Sequence, residues 1–326
     1  MGRQFIKPLA AASLTGMIIL LLGGALVTKT DSGDGCGTSW PLCHGQLIPA
    51  NITFELIVEF SHRIVTAIVT LFVLCLIILC WKHMTEIPER KALSVLAIGF
   101  LIVQSTIGAL NVVFGQSDFI LALHFGISLL SFSSVLLLTL LIFNVDQRFY
   151  NKNEPVDPRI IRHTTGVTIY SFGVVYTGAL VRHTESGMIC PAWPFCNKIT
   201  YFTPSNFYEW VQMGHRYAAG ILFLWIFYIM IMAVRTCKNQ PVLYYGWILA
   251  FFLIFLQIVS GALTVFTELN IILALLHTLF ITCLFGLLSF FVFLFFQKQH
   301  ENRKCGKTRK QDMVHKLPTE NIKKLS

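Results

Sequence analysis

The chain has 326 residues, of which 55% are hydrophobic and 13% are charged, and its formal net charge is +9. Water-soluble domains carry about 25% charged residues. This composition excludes an ordinary soluble protein and indicates an integral membrane protein.

Apolar stretches follow one another along the whole chain, and each is close to the ~20 residues that a helix needs to cross a ~30 Å hydrocarbon layer. Backbone groups in lipid must be satisfied internally, and the alternation typical of barrel strands is absent from this sequence. We therefore predict an all-α integral membrane protein with eight transmembrane helices. The predicted spans are about 8–27, 54–81, 93–114, 119–143, 164–182, 208–234, 243–266 and 271–296.

The basic residues concentrate in alternate connections. If the N-terminus is cytoplasmic, the basic residues left on the outer side are Lys29, Arg63, Arg182, Lys198 and Arg216. The positive-inside rule then places both termini in the cytoplasm. The positive charge is therefore a sign of membrane topology, and we expect no nucleic-acid partner.

The second part of the chain repeats the first. His62-Arg63 returns as His215-Arg216, and His124 returns as His277 at the same separation. We predict two tandem four-helix bundles joined by a cytoplasmic linker and followed by a basic, mostly disordered cytoplasmic tail. The N-terminal half, linker, C-terminal half and tail are assigned to residues 1–145, 146–163, 164–297 and 298–326.

Four histidines in the even-numbered spans lie at a similar predicted depth on the outer side: His62, His124, His215 and His277. Two imidazoles from facing helices are what six-coordinate haem iron requires, and four-helix bundles build cofactor sites in this way. Zinc is disfavoured because no third or fourth ligand lies at the same depth. We predict iron ligation by one histidine pair in each half. The alternative is that each histidine only bonds a neighbouring helix or faces water.

Glu59 precedes His62 by one helical turn, and the second half has Gln212 at the matching position. A carboxylate beside a ligand cavity can exchange protons or stabilise charge, which assigns the chemistry to the first half. The alternative is a carboxylate that stays hydrated near the headgroups. Arg63 and Arg216 follow the histidines and could pair with haem propionates or extend to the interface.

Two cysteine pairs fall in the predicted outer loops, Cys36 with Cys43 and Cys190 with Cys196. On the oxidising side of a membrane such pairs most often form disulfides. Each pair could be a structural staple or a redox-active dithiol.

Several motifs occur together in this chain: Gly24-Ala25-Leu26-Val27-Thr28, Cys36-Gly37…Trp40-Pro41-Leu42-Cys43-His44-Gly45, Glu59-Phe60-Ser61-His62-Arg63, Ala122-Leu123-His124, Thr177-Gly178-Ala179…Val181-Arg182-His183-Thr184, Gly214-His215-Arg216 and His277. In combination they resemble the bacterial haem A synthases, in particular the short type with a cysteine pair in each outer loop. The resemblance covers about residues 10–297.

The resemblance implies an oxidoreductase that converts the C8 methyl group of haem O to a formyl group, giving haem A for terminal oxidases. It implies a haem b cofactor with His215 and His277 as axial ligands. It implies that the substrate haem O is held by His62 and His124, with Glu59 as the catalytic residue.

The resemblance further implies that the disulfide Cys36–Cys43 is linked to activity and that Cys190–Cys196 is structural. It implies a multi-pass protein of the cell membrane with its cysteine loops on the outer face. The expected partners are the lipid bilayer, a haem O synthase (a membrane prenyltransferase) and terminal oxidase assembly, and a homo-oligomer is left open.

Other classes of protein also fit parts of the pattern. A b-type electron-transfer cytochrome uses bis-histidine helices, although it would usually place haems near both membrane faces. A non-catalytic haem carrier differs from the enzyme only through Glu59. A thiol-oxidising membrane protein would use the cysteine pairs but leaves the four aligned histidines unexplained.

Overall fold

The structure is a computed structural model that describes residues 2–47, 49, 51–115, 117–145, 154, 156–196 and 204–315. Within these residues it contains eight helices that are long and apolar enough to cross a membrane, and no β-strand is formed. This confirms the predicted all-α membrane fold. The helices are α1 Gly2–Lys29, α2 Phe54–His83, α3 Glu89–Phe114, α4 Asp118–Ile142, α5 Pro158–His183, α6 Phe207–Thr236, α7 Pro241–Phe266 and α8 Ile271–His315.

The helices pack as two groups of four. In each group, helices that follow one another in the chain are in contact, and the first helix also contacts the fourth. We refer to α1–α4 as the first half and to α5–α8 as the second half. The halves meet where α4 contacts α5 and α8, and where α1 contacts α8. Helices α4 and α8 are consequently the most buried of the eight.

Small residues allow α4 and α8 to approach closely. A Cβ atom added at Gly286 of α8 would lie 2.6 Å from Leu136 and 3.1 Å from Phe132, both on α4. The α4 surface also contains several buried hydroxyl residues, namely Ser128, Ser131, Ser133, Ser134 and Thr139. The contact between α4 and α8 therefore depends on the absence of a side chain at Gly286.

Two segment ends differ from the sequence-based prediction. Helix α5 begins at Pro158, inside the segment predicted as a linker, because the Asp157 carboxylate accepts the Arg159 N–H (2.8 Å) and proline suits the first helical turn. Of that linker, residues 146–153 and 155 lie outside the described residues.

The predicted disordered tail is also partly helical, because α8 continues to His315. Extending an existing helix avoids the cost of nucleation. Residues 316–326 of the tail lie outside the described residues.

We predict that Gly286→Ala lowers the unfolding temperature in detergent, because overpacking at the contact between α4 and α8 costs about 1–3 kcal/mol. The matched control is Gly99→Ala on α3, where a new Cβ would meet no atom within 4 Å. That control should gain up to ~1 kcal/mol from helix propensity. Equal stabilisation by both variants would contradict the proposed close contact.

Candidate haem-binding site

A cavity of about 2000 Å³ lies between the helices and is lined by residues from all eight of them. Pockets for one small ligand usually measure ~300–1,000 Å³, so this cavity has room for more than one large ligand. Its lining includes the four histidines His62, His124, His215 and His277. The structure thus brings together all the histidines that the sequence singles out.

Each of these imidazoles lies against a glycine of the preceding helix. A Cβ added to the glycine would come within 3.4 Å of ring atom Cε1 in every case: Gly24 and His62 (3.4 Å), Gly108 and His124 (3.3 Å), Gly178 and His215 (2.8 Å), Gly261 and His277 (2.9 Å). All four glycines begin a Gly-Ala-Leu triplet. The triplets therefore mark the places where a neighbouring helix makes room for a histidine ring.

The histidines are also paired in space. His62 interacts electrostatically with His124, and His215 does so with His277. In the second half, His277 Nδ1 donates to the Gln257 carbonyl (2.9 Å), which leaves Nε2 unprotonated. This nitrogen accepts a hydrogen bond from the Gln257 side-chain amide (2.9 Å), and a metal bound at Nε2 would take the place of that amide.

Two facing imidazoles suit the iron of a haem, because the macrocycle supplies the remaining four ligands. In the described part of the chain, no group of three or more His, Cys, Asp or Glu side chains converges on one point. A tetrahedral zinc site would require such a group. The residues present therefore fit a haem in each half.

Glu59 and Gln212 occupy equivalent places beside the two pairs, and both are buried. The Glu59 carboxylate accepts the Cys36 N–H (2.7 Å), and the Gln212 amide oxygen accepts the Cys190 N–H (2.7 Å). Gln212 Nε2 also donates to the Gly187 carbonyl (2.7 Å). At 4% exposure, Glu59 is not the hydrated headgroup carboxylate considered as the alternative.

Arg63 and Arg216 hold the cysteine loops. Arg63 donates to the carboxylate of Glu59 (2.5 Å) and to the carbonyls of Ser39 (2.8 Å) and Leu42 (2.7 Å). Arg216 donates to the carbonyls of Cys190 (2.9 Å), Ala192 (2.6 Å), Pro194 (3.3 Å) and Phe195 (3.3 Å). Most N–H groups of both arginines are therefore used within the protein, which leaves few of them for haem propionates.

Each of these loops contains a disulfide. The Cys36–Cys43 bond has an S–S distance of 2.09 Å and the Cys190–Cys196 bond one of 1.96 Å. All four cysteines are buried. The disulfides therefore lie directly above Glu59 and Gln212, which accept the N–H of the first cysteine in each loop.

Other cations line the cavity where the two halves meet. Lys29 at the end of α1 interacts electrostatically with Arg182 and His183 at the end of α5. Arg182 crosses between the halves by donating to the Thr28 carbonyl and to Asp31 (2.6 Å). The sequence analysis placed Lys29 and Arg182 on the outer side but did not predict that they lie together with His183, because no repeated motif links them.

The fold and the cavity define a polytopic membrane protein with two histidine pairs and a buried carboxylate, Glu59. The chain belongs to the COX15-CtaA family, described as cytochrome oxidase assembly proteins, whose model matches residues 8–289.

Individual relatives are similar over most of their length. A haem A synthase of Lysinibacillus sphaericus (strain C3-41) is 54% identical over 292 residues, covering 89% of this chain and 95% of the relative. One of Geobacillus thermodenitrificans is 53% identical over 90% of this chain and 92% of the relative. One of Bacillus cereus (strain G9842) is 49% identical over 95% of this chain and 99% of the relative.

We predict that Gly178→Ala weakens haem binding, because the new Cβ would lie 2.8 Å from His215 and displace its ring. Changes to groups that orient a metal ligand typically cost about 10–100-fold in affinity. Absorbance titration of the purified variant with haem measures the effect. The control is Gly173→Ala on the same helix, where no atom lies within 4 Å of the new Cβ. Equal affinities for the two variants would contradict the close contact between ring and helix.

Proposed function

We propose that this chain is a haem A synthase that oxidises the C8 methyl group of haem O to a formyl group. The observation that carries the proposal is a single chemical difference between two similar sites. Glu59 and Gln212 are both buried and both bind a cysteine N–H, but only Glu59 is a carboxylate. Similarity to haem A synthases over about nine-tenths of the chain supports the same reaction.

The roles of the histidines follow from this difference. We propose that His62 and His124 hold the substrate haem O in the half that contains Glu59, and that His215 and His277 are the axial ligands of a haem b cofactor. A bound haem b would supply a one-electron redox centre. One cavity, lined by residues from all eight helices, would hold both groups.

Glu59 is the proposed catalytic residue, and its surroundings define what it can do. Its two oxygens are held by the Cys36 N–H and by Arg63, so the carboxylate has a fixed position at the cavity wall. Preorganised charge at such a place stabilises positive charge that develops on the substrate. The carboxylate can also accept a proton that leaves the methyl group.

The proposed topology places both termini in the cytoplasm and both disulfide loops on the outer face of the cell membrane. It is supported by the excess of lysine and arginine in the connections on the side of the termini. A membrane-embedded haem O synthase is the proposed source of substrate, and terminal oxidases are the proposed destination of the product.

We predict that Glu59→Gln abolishes haem A formation while the first cysteine loop stays folded. The amide oxygen can still accept the Cys36 N–H, as Gln212 does for Cys190, but the negative charge and the proton acceptor are lost. The test is chromatography of haems extracted from membranes of cells that make haem O, with the wild-type chain, the variant or neither.

Labelling of free thiols in the same samples would show whether the Cys36–Cys43 disulfide still forms. Wild-type levels of haem A from the variant would contradict the role of Glu59. A wild-type protein that binds haem b but never converts haem O would instead support an electron-transfer cytochrome or a haem carrier.

We also propose that Lys29 and Arg182, rather than Arg63 and Arg216, bind haem propionates. Lys29 lines the cavity and makes no hydrogen bond or ion pair with another described residue, and the buried Nε of Arg182 likewise lacks a hydrogen-bond partner among them.

Lys29→Met keeps the apolar stem but removes the charge. Because a hydrogen bond to a charged group contributes about 1.5–3 kcal/mol, the variant should bind haem roughly 10–100-fold more weakly. Its affinity for haem dimethyl ester, in which both carboxylates are blocked, should match that of the wild type. Equal losses for both ligands in an absorbance titration would rule out a contact between Lys29 and a propionate.

A further inference from the structure

The two histidine pairs differ in the hydrogen bonds made by ring atom Nδ1. In the second half, His277 Nδ1 lies 2.9 Å from the Gln257 carbonyl and 3.1 Å from Ser260 Oγ, and His215 Nδ1 lies 3.1 Å from Thr177 Oγ1. His215 and His277 thus each have at least one partner on the helix that precedes them.

In the first half the same ring atoms lack partners. The Nδ1 atoms of His62 and His124 are buried, and neither forms a hydrogen bond with any residue that the structure describes. His124 faces the Gln104 carbonyl, but without hydrogen-bond geometry. Buried polar atoms are rarely left unpaired, so this absence in both first-half histidines requires a cause.

Two positions next to these rings have different residues in the two halves. Alignment of the Gly-Ala-Leu triplets places Gly23 opposite Thr177 and Ile107 opposite Ser260. A Cβ added at Gly23 would lie 3.1 Å from His62 Nδ1. A hydroxyl at this position would therefore be next to the ring nitrogen that lacks a partner. Glycine and isoleucine offer no side-chain hydrogen bond at these positions.

A partner on Nδ1 changes how the opposite nitrogen binds a metal. It selects the tautomer, fixes the orientation of the ring and makes the ligand more basic, and its loss typically costs about 10–100-fold in affinity. A histidine without this partner can bind through either tautomer and in several ring orientations. It is therefore the weaker and more readily exchanged ligand.

We infer that Thr177 and Ser260 are positioning residues that make the second half retain its haem, and that Gly23 and Ile107 make the first half release its haem. The inference rests on the proposed function, in which a cofactor stays through many turnovers while a substrate haem must leave as product after each one. The two sites therefore need different rates of haem loss, and these four positions provide the difference.

The first test removes the hydroxyls from the second half with Thr177→Val and Ser260→Ala, which leaves the Gln257 carbonyl as a partner of His277 Nδ1. The rate of haem transfer from the purified protein to excess apomyoglobin should rise about 10–100-fold. The midpoint potential of the bound haem should also rise, because a less basic ligand stabilises the ferric state less. Thr168→Val on α5, whose hydroxyl bonds only the Thr164 carbonyl in the structure, is the control and should change neither quantity.

The second test adds a hydroxyl to the first half in a chain whose second site is disabled by His215→Ala and His277→Ala. Gly23→Thr should slow haem loss from His62 and His124, whereas Gly23→Ala, which adds the Cβ without the hydroxyl, should not. Equal effects of the two substitutions, or unchanged rates and potentials in the first test, would overturn the inference. If the inference were overturned in this way while the wild-type protein still made haem A, the proposed function would stand. A wild-type protein that bound no haem would overturn both.

Discussion

The contact between each histidine ring and a glycine of the preceding helix determines the site. The imidazole can enter the cavity only because the neighbouring backbone carries no side chain at that level, as the Cβ distances of 2.8–3.4 Å show. The atom of each ring that lies closest to its glycine is Cε1. Helix spacing and the position of the histidine rings are therefore set together by the Gly-Ala-Leu triplets.

A second shared feature explains how similar scaffolds can carry different chemistry. In each half an oxygen acceptor on the histidine helix binds the N–H of a disulfide cysteine, and an arginine one turn further binds the loop carbonyls. Glutamate and glutamine both accept the cysteine N–H, but Glu59 also accepts from Arg63, whereas Gln212 donates to the Gly187 carbonyl. The exchange at positions 59 and 212 therefore changes the charge and one hydrogen bond while the bond to the cysteine loop is kept.

Sequence reasoning predicted the features that depend on composition and repetition. Apolar length was sufficient to locate the eight helices, and the repeat was sufficient to select the four histidines and Glu59. It failed where a local bond decides the outcome. The start of α5 depends on the Asp157 cap, and Arg63 and Arg216 bind loop carbonyls whose positions no pattern reveals.

The contacts of Thr177 and Ser260 with the histidine rings were not predicted, for a different reason. A search for repeated residues discards the positions where the two halves differ, and both hydroxyls stand at such positions. The informative feature is the difference between the two halves at the positions that face a histidine ring. Glu59 was found because it lies inside a well-matched motif, whereas Gly23 and Ile107 would have required the ring contacts to be known.

The central claim is that the second half holds a resident haem b and the first half a transient substrate haem. The most direct measurement is the haem content of purified His62→Ala/His124→Ala and His215→Ala/His277→Ala proteins, determined by haem extraction and chromatography. The account predicts that the first variant keeps its haem b and that the second loses it. Loss of haem b from the first variant and retention in the second would reverse the assignment of the halves and contradict the account.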